Sequence, residues 1–302
     1  MSYRRANDYV LKHADYSEQV GVDYSNYSED KLKDLWRTTI KNGMHGLCFS
    51  MYEDGQTPGN IITEVQVERR IKIIKPYTQW VRSFSCIEGN EHIPRIAKRQ
   101  GMKTLVGAWL SSDKKENEKE INGLIELGKA GVVDIAAVGN EVLYRKDLTL
   151  EELLGYIKRV KQALPDVTVG YVDAYYEFTV HPELVDVSDV VLANCYPYWE
   201  GCHIDHALSH MQQMYGQAID AGRGKKVIIT ETGWPSQGGS LDAAMSSEEN
   251  AMRYFINTQK WSANDNIDVF YFSSFDESWK TGDEGDVGAF WGLWDKHEKL
   301  KF

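Results

Sequence analysis

VVDIAAVGNE, residues 132–141, is an apolar run that ends on a polar tip, and its pattern decides the fold. A strand with one wet face alternates apolar and polar side chains. A near-continuous apolar strand is covered on both faces, as in a parallel sheet walled by helices. Seven more stretches read this way: HGLCFS (45–50), QWVRSFSC (79–86), MKTLVGAWL (102–110), VTVGYVDA (167–174), DVVLANCY (189–196), KKVIITET (225–232) and IDVFYFSSF (267–275). The segments between them carry helical periodicity. In 149–164, Leu150, Leu153, Leu154, Ile157 and Val160 form one stripe, Thr149 precedes the acidic first turn, and Pro165 follows the end. Segments 61–75, 116–129 and 246–261 also begin behind turn or capping residues. Eight strands alternating with helices, repeating about every 32 residues, indicate an α/β fold of the (β/α)8 TIM-barrel type rather than an open doubly wound sheet. No Gly-x-Gly-x-x-Gly or P-loop follows the first strand, which removes the main support for a nucleotide-binding fold. Residues 1–44 are expected to form an N-terminal extension with a helix near 28–42 padding the barrel wall. With no linker or internal repeat, 45–302 is expected to be a single barrel carrying the site.

The bulk properties narrow the partners. Of 302 residues 42% are hydrophobic, enough for one large core. No apolar run approaches 18 residues, so no membrane-spanning helix is expected. A formal net charge of −11 disfavours nucleic acid and anionic membrane surfaces as partners. The basic run Arg223-Gly224-Lys225-Lys226 is too short to reverse this. Four cysteines do not make a disulfide framework. Cys48, Cys86 and Cys195 read as buried thiols, and a Cys195–Cys202 bridge stays open. The opening residues MSYRRANDYVLKHADY lack the apolar core of a signal peptide. The sequence as it stands therefore reads as cytoplasmic, or as secreted or periplasmic if a leader has been trimmed.

Barrel chemistry collects at the C-terminal strand ends. Two carboxylates stand there, Glu141 closing VVDIAAVGNE and Glu231 in VIITE. Their separation in sequence is about three barrel units, which places them on the fourth and seventh strands, facing each other across the mouth. Glycoside hydrolysis needs such a pair, one carboxylic acid to protonate the departing oxygen and one carboxylate to attack or to activate water. Nine Trp and 17 Tyr, many in loops, suit a site that stacks on the flat faces of sugar rings.

The motifs VGNE (138–141), NCYPY (194–198), ITETGWPS (229–236) and YFSSFDESWK (271–280) resemble, in order and spacing, glycoside hydrolase family 17, from about Gly46 to Lys296. GLCFSMYEDGQTPG and WVRSFSCIEGNEHIP look more like its bacterial branch than the plant glucanases. The resemblance implies a retaining endo-β-1,3-glucanase acting on laminarin-type polysaccharide or oligosaccharide, with Glu141 as acid/base and Glu231 as nucleophile. No cofactor or metal is implied, and the chain is read as a monomer. A transglycosylase with the same pair and a non-catalytic glucan-binding barrel are the competing readings. Asn140 resembles the residue that binds the sugar 2-hydroxyl, and Tyr196 the one that orients the nucleophile. Glu277 and Lys280 resemble a polar pair on the eighth strand. Tyr52, Arg82, Trp199, Trp234 and Trp279 complete the expected substrate-binding set. The loops Tyr52–Gln56 and Trp199–Cys202 depart from the plant pattern, which leaves the number of subsites open.

Other polar groups read as structural. His203-Ile204-Asp205-His206 with His210 lacks the zinc signature His-Glu-x-x-His, and 281–286 lacks the calcium-loop pattern. Ser236 and Ser273 have no His/Asp partners in their motifs. Trp109 and Trp291 are equally open to a sugar-platform or a packing role.

Overall fold

A computed structural model describes residues 21–282 and 284–302. The reading of the opening stretch as leaderless, and residues 1–20 of the proposed extension, lie outside the described residues. Eight parallel strands close on themselves: β1 (Met44–Cys48), β2 (Thr78–Ser83), β3 (Lys103–Ala108), β4 (Ile135–Asn140), β5 (Thr168–Ala174), β6 (Val190–Asn194), β7 (Val227–Thr232) and β8 (Val269–Tyr271). Each pairs with its sequence neighbours, and β1 pairs with β8 through Gly46–Phe270 and Leu47–Tyr271. This is the (β/α)8 barrel. The strands are shorter than the apolar runs that announced them. β8 keeps three residues because the chain beyond it leaves the sheet, and Phe275 bridges to Trp294 instead.

The helices form where side chains meet their orphan N–H groups. Ser28, Thr63, Asp113 and Ser247 cap α1 (Glu29–Lys41), α2 (Glu64–Ile74), α4 (Lys114–Lys129) and α7 (Glu248–Asp265). Between α2 and α4 runs α3 (His92–Arg99). A reciprocal capping box of Thr149 and Glu152 opens α5 (Leu150–Ala163). Between β5 and β6 two short turns of helix, Glu177–Val180 and Pro182–Val187, replace a long one, and α6 (Ala207–Gly222) follows β6. A small hairpin, Ser240–Leu241 with Ala244–Met245, precedes α7.

Only the short 3-10 segment Gly285–Phe290 follows β8 among the described residues. The vacant place in the wall is taken by α1, which comes first in the chain and packs on α7. Fully buried Trp36 meets Phe255 of α7 at 5.5 Å and Phe302 at 5.2 Å. Val22 N and Tyr24 Oη both donate to Asn257 Oδ1, at 3.0 and 2.9 Å. All four cysteines are buried and free, so the Cys195–Cys202 bridge is not made. No helix among the described residues is long and apolar enough to cross a membrane.

Candidate active site

The eight strands deliver their last residues to one mouth. β4 brings Asn140 and then Glu141, β6 brings Asn194 and then Tyr196, β7 carries Thr230 and Glu231, and β2 carries Arg82. Glu141 leaves its strand in the left-handed region, φ 52° and ψ 32°, which is uncommon for a residue with a Cβ. Gly139 makes the approach possible. Its φ is +89°, and a Cβ there would meet Val142 Cγ2 at 2.8 Å. Glu141 N donates to Val172 O, and Arg145 N to Glu141 O, both at 2.8 Å. The Arg145 guanidinium donates to Asn140 O and, at 2.7 Å, to Leu110 O, and it pairs with Asp147 at 2.7 Å.

One amide touches both glutamates. Asn194 Nδ2 lies 2.9 Å from Glu141 Oε1 and 3.2 Å from Glu231 Oε1. Taken together, these spans place the two nearer carboxylate oxygens no more than about 6 Å apart. Thr230 Oγ1 donates to Asn194 Oδ1 at 2.8 Å, which fixes the amide's orientation.

Glu231 is 6% exposed and takes two further hydrogen bonds, from Arg82 Nη1 at 2.6 Å and Tyr196 Oη at 2.8 Å. Burial, reinforced by the Glu231 charge, raises the Tyr196 pKa well above the usual phenol value, so Tyr196 remains a donor. Burial works most strongly against charge on Arg82, but Glu231 and Cys48 together outweigh it and the guanidinium pKa is raised. Beside them burial pushes the Cys48 thiol up to about 12. Lys280 Nζ pairs with Glu277 at 3.1 Å. Burial alone would depress this ammonium, but the carboxylates of Glu277, Glu284 and Glu231 hold its pKa above the usual lysine value.

The structure thus gathers Glu141, Glu231, Asn140, Tyr196, Glu277 and Lys280 around one mouth. Tyr52 and Trp279 meet edge to face at 5.7 Å, and half-buried Trp199 tilts against Trp291 at 5.4 Å. Two expected sugar contacts are corrected. Arg82 is 1% exposed, and its guanidinium is engaged by Glu231, Thr230 O at 2.8 Å and Asn140 Oδ1 at 2.7 Å. It is a floor under the carboxylate rather than a wall of the groove. Trp234 is also sealed, its ring packed on Tyr198 and Tyr254 and its Nε1 donating to Met245 O at 2.9 Å. The turn that buries it needs Gly233, where a Cβ would lie 2.1 Å from Phe272 O. Trp291 is enclosed by Tyr196, Tyr198 and Phe272, whereas Trp109 is 40% exposed and backed by the Arg145 guanidinium at 4.5 Å.

Asn194, Thr230 and Arg145 were not singled out by the sequence reading. Asn194 had a signal, since it stands two residues before Tyr196 at the end of an apolar strand. The histidine segment is used structurally: His210 Nε2 meets Glu200 at 2.6 Å, and Asp205 pairs with Arg253. Among the described residues no group of three His, Cys, Asp or Glu side chains is placed to hold a metal ion. In the polar turn 281–286, Asp283 lies outside the described residues, and Asp286 accepts from Gly239 N at 3.0 Å.

A closed parallel barrel whose fourth and seventh strands bring two glutamates onto one amide has the architecture of a carboxylate-pair glycosidase. Residues 46–292 match the BtgE/BtgC glycoside hydrolase domain, and the chain belongs to that family. It is 29% identical to a glucan 1,3-beta-glucosidase of Arthroderma benhamiae over 81% of this chain and 85% of that protein. A glucan 1,3-beta-glucosidase of Saccharomyces cerevisiae is 27% identical over 78% and 83%. Among solved structures, the glycoside hydrolase family 17 beta-1,3-glucanosyltransferase of Rhizomucor miehei superposes with a TM-score of 0.77 at 31% identity, covering 86% of this chain and 96% of that one. An active-site mutant of a Rhizomucor miehei beta-1,3-glucanosyltransferase, in complex with laminaritriose, matches equally well.

Proposed function

We propose that the chain cleaves β-1,3-glucan with retention of configuration, Glu231 acting as nucleophile and Glu141 as acid/base. The observation that carries this reading is the single Asn194 amide within hydrogen-bond reach of both carboxylates, at 2.9 and 3.2 Å. Sharing one amide supports direct attack by the carboxylate, since retaining pairs stand about 5–5.5 Å apart and inverting pairs farther. In the first step Glu141 gives its proton to the glycosidic oxygen while a Glu231 oxygen bonds to the anomeric carbon and the leaving sugar departs. In the second, Glu141 takes a proton from the incoming hydroxyl, which displaces Glu231. Arg82 and Tyr196 each hold one oxygen of Glu231, which keeps the carboxylate oriented for attack. Asn140 has its oxygen fixed by Arg82, which leaves its Nδ2 to meet the sugar 2-hydroxyl.

Endo-hydrolysis, with water as the incoming hydroxyl, is the principal reading. Transfer to a second sugar is the alternative, favoured by the likeness to the Rhizomucor miehei glucanosyltransferase. Mass analysis of products from a defined laminari-oligosaccharide separates them: only transfer yields chains longer than the starting one. The roles are tested with Glu141→Ala and Glu231→Ala. Loss of all turnover is expected for E231A. E141A is expected to retain turnover of aryl glucosides with good leaving groups, and with azide to give a β-glycosyl azide. Proton NMR of the first product should show the β-anomer. An α-anomer appearing first would overturn the retaining mechanism.

A further inference from the structure

Glu141 is the N-cap of a short helical turn, Val142–Arg145, yet its side chain makes no capping bond. An N-cap side chain normally accepts from the N–H two or three residues on. Here the N–H two residues on, that of Leu143, donates instead to Tyr171 Oη at 3.0 Å. The Glu141 carboxylate reaches into the mouth and meets Asn194. Tyr171 in turn hydrogen-bonds Asp173 Oδ2, and Asp173 Oδ1 accepts from Ala174 N at 2.8 Å. Both side chains are fully buried on β5. They alternate with Ala174, which pairs in register with Asn194, so they project from the outer side of the barrel wall.

Two polar groups in an apolar wall are costly unless hydrogen-bonded, and Phe and Leu would fill the same space. What the pair supplies that an apolar filling lacks is an acceptor for Leu143 N.

We propose that Tyr171, braced by Asp173, is a positioning residue that caps the turn in place of Glu141 and so keeps the Glu141 carboxylate directed into the mouth, where it serves as the acid/base. Burial, with the charges of Glu141 and Glu177 added, raises the Asp173 pKa above the usual carboxylate range. Without the Tyr171 hydroxyl, Leu143 N would turn to the N-cap side chain two residues before it, and that bond would draw the Glu141 carboxylate out of the mouth.

This inference rests on Glu141 being the acid/base, and the test separates the two claims. Tyr171→Phe, Asp173→Asn and E141A are assayed on laminarin and on 2,4-dinitrophenyl β-laminaribioside, whose leaving group needs no proton. For Y171F, kcat/KM on laminarin should fall about 100-fold, the scale of a misplaced catalytic group, while formation of the covalent intermediate on the aryl substrate changes less than about threefold. D173N keeps the side-chain volume but has one oxygen for two donors, and should show the same selective loss by a smaller factor. Retained formation of the covalent intermediate from the aryl substrate doubles as the check on folding. Equal loss on both substrates, or no loss on either, would overturn the positioning role while E141A still shows selectivity. If E141A itself loses both activities equally, the acid/base assignment fails and the positioning role falls with it.

Discussion

Lys301→Met gives a stringent test of how the mouth is held together. Lys301 Nζ donates to Asp276 Oδ1 at 2.7 Å and Ser236 Oγ at 2.8 Å, and touches Phe290 O at 3.3 Å. It thereby ties the loop after β7, the loop after β8 and the end of the described chain into one knot. Both charged side chains are over 90% buried. Burial raises the Asp276 pKa and lowers that of Lys301, despite their attraction. The signs follow from linkage. A carboxyl with a raised folded pKa contributes stability below its unfolded value near 4 and loses it as pH rises through the folded value. An ammonium with a lowered one contributes stability above its unfolded value and loses it as pH falls. Each charge is thus opposed by burial and supported by the other. Removing one partner strands the other, at about 3–5 kcal/mol. For 302 residues the unfolding entropy is about 0.6 kcal/mol per degree, so K301M should lower Tm by about 5–8 °C. Lys301→Met combined with Asp276→Asn removes both charges and keeps an acceptor for Gly292 N, now at 2.9 Å from Asp276. That double variant should return to within about 1 kcal/mol of the parent. Urea unfolding at pH 7, with calorimetry for Tm, measures both. A single variant costing under about 1 kcal/mol, or a double variant as damaged as the single, would refute the sealed-pair argument.

Glu120 lies buried on α4, accepting from Ser85 Oγ and, at 2.8 Å, from Cys86 N, and burial lifts its pKa to about 7. Its contribution is full below the unfolded value near 4.3 and fades as pH rises through about 7, so parent stability relative to Glu120→Gln should decline across that window; a flat difference would count against it. The four buried thiols should resist a thiol reagent at pH 8 in the folded protein and react together on unfolding; rapid labelling of the native protein would contradict their burial. Trp234→Ala should cost about 3–5 kcal/mol of stability, whereas Trp199→Ala should mainly raise KM for long glucans. Denaturation curves and KM values compared across chain lengths would expose a reversal.

The barrel was legible because buried parallel strands write themselves as apolar runs, and the two glutamates because they end such runs three units apart. The strand limits were less legible, since an apolar residue past the last ladder bond looks the same as one before it. Phe272 to Phe275 continue the hydrophobic run after β8 but serve the loop. Arg82 and Trp234 were misread for a related reason. Residue type suggests affinity for sugar, but whether a side chain faces the groove or the interior depends on which neighbours close over it. Arg145 is reached only through the backbone carbonyls it holds, and carbonyls leave no trace in a sequence. Tyr171 and Asp173 likewise read as ordinary strand residues until the left-handed turn at Glu141 shows which N–H they serve.

The placement of α1 bears on the order of assembly. The wall position beside β8 is filled by residues 29–41, whose partners are α7 and Phe302, at the opposite end of the chain. During synthesis this helix emerges early but has nowhere to dock until nearly the whole barrel has left the ribosome, so its apolar stripe of Leu32, Trp36 and Ile40 must wait uncovered. Closure is a contact of the greatest sequence separation, the kind that slows folding most. A permuted sequence that places residues 21–43 after Phe302 would turn that last, slow contact into a local one.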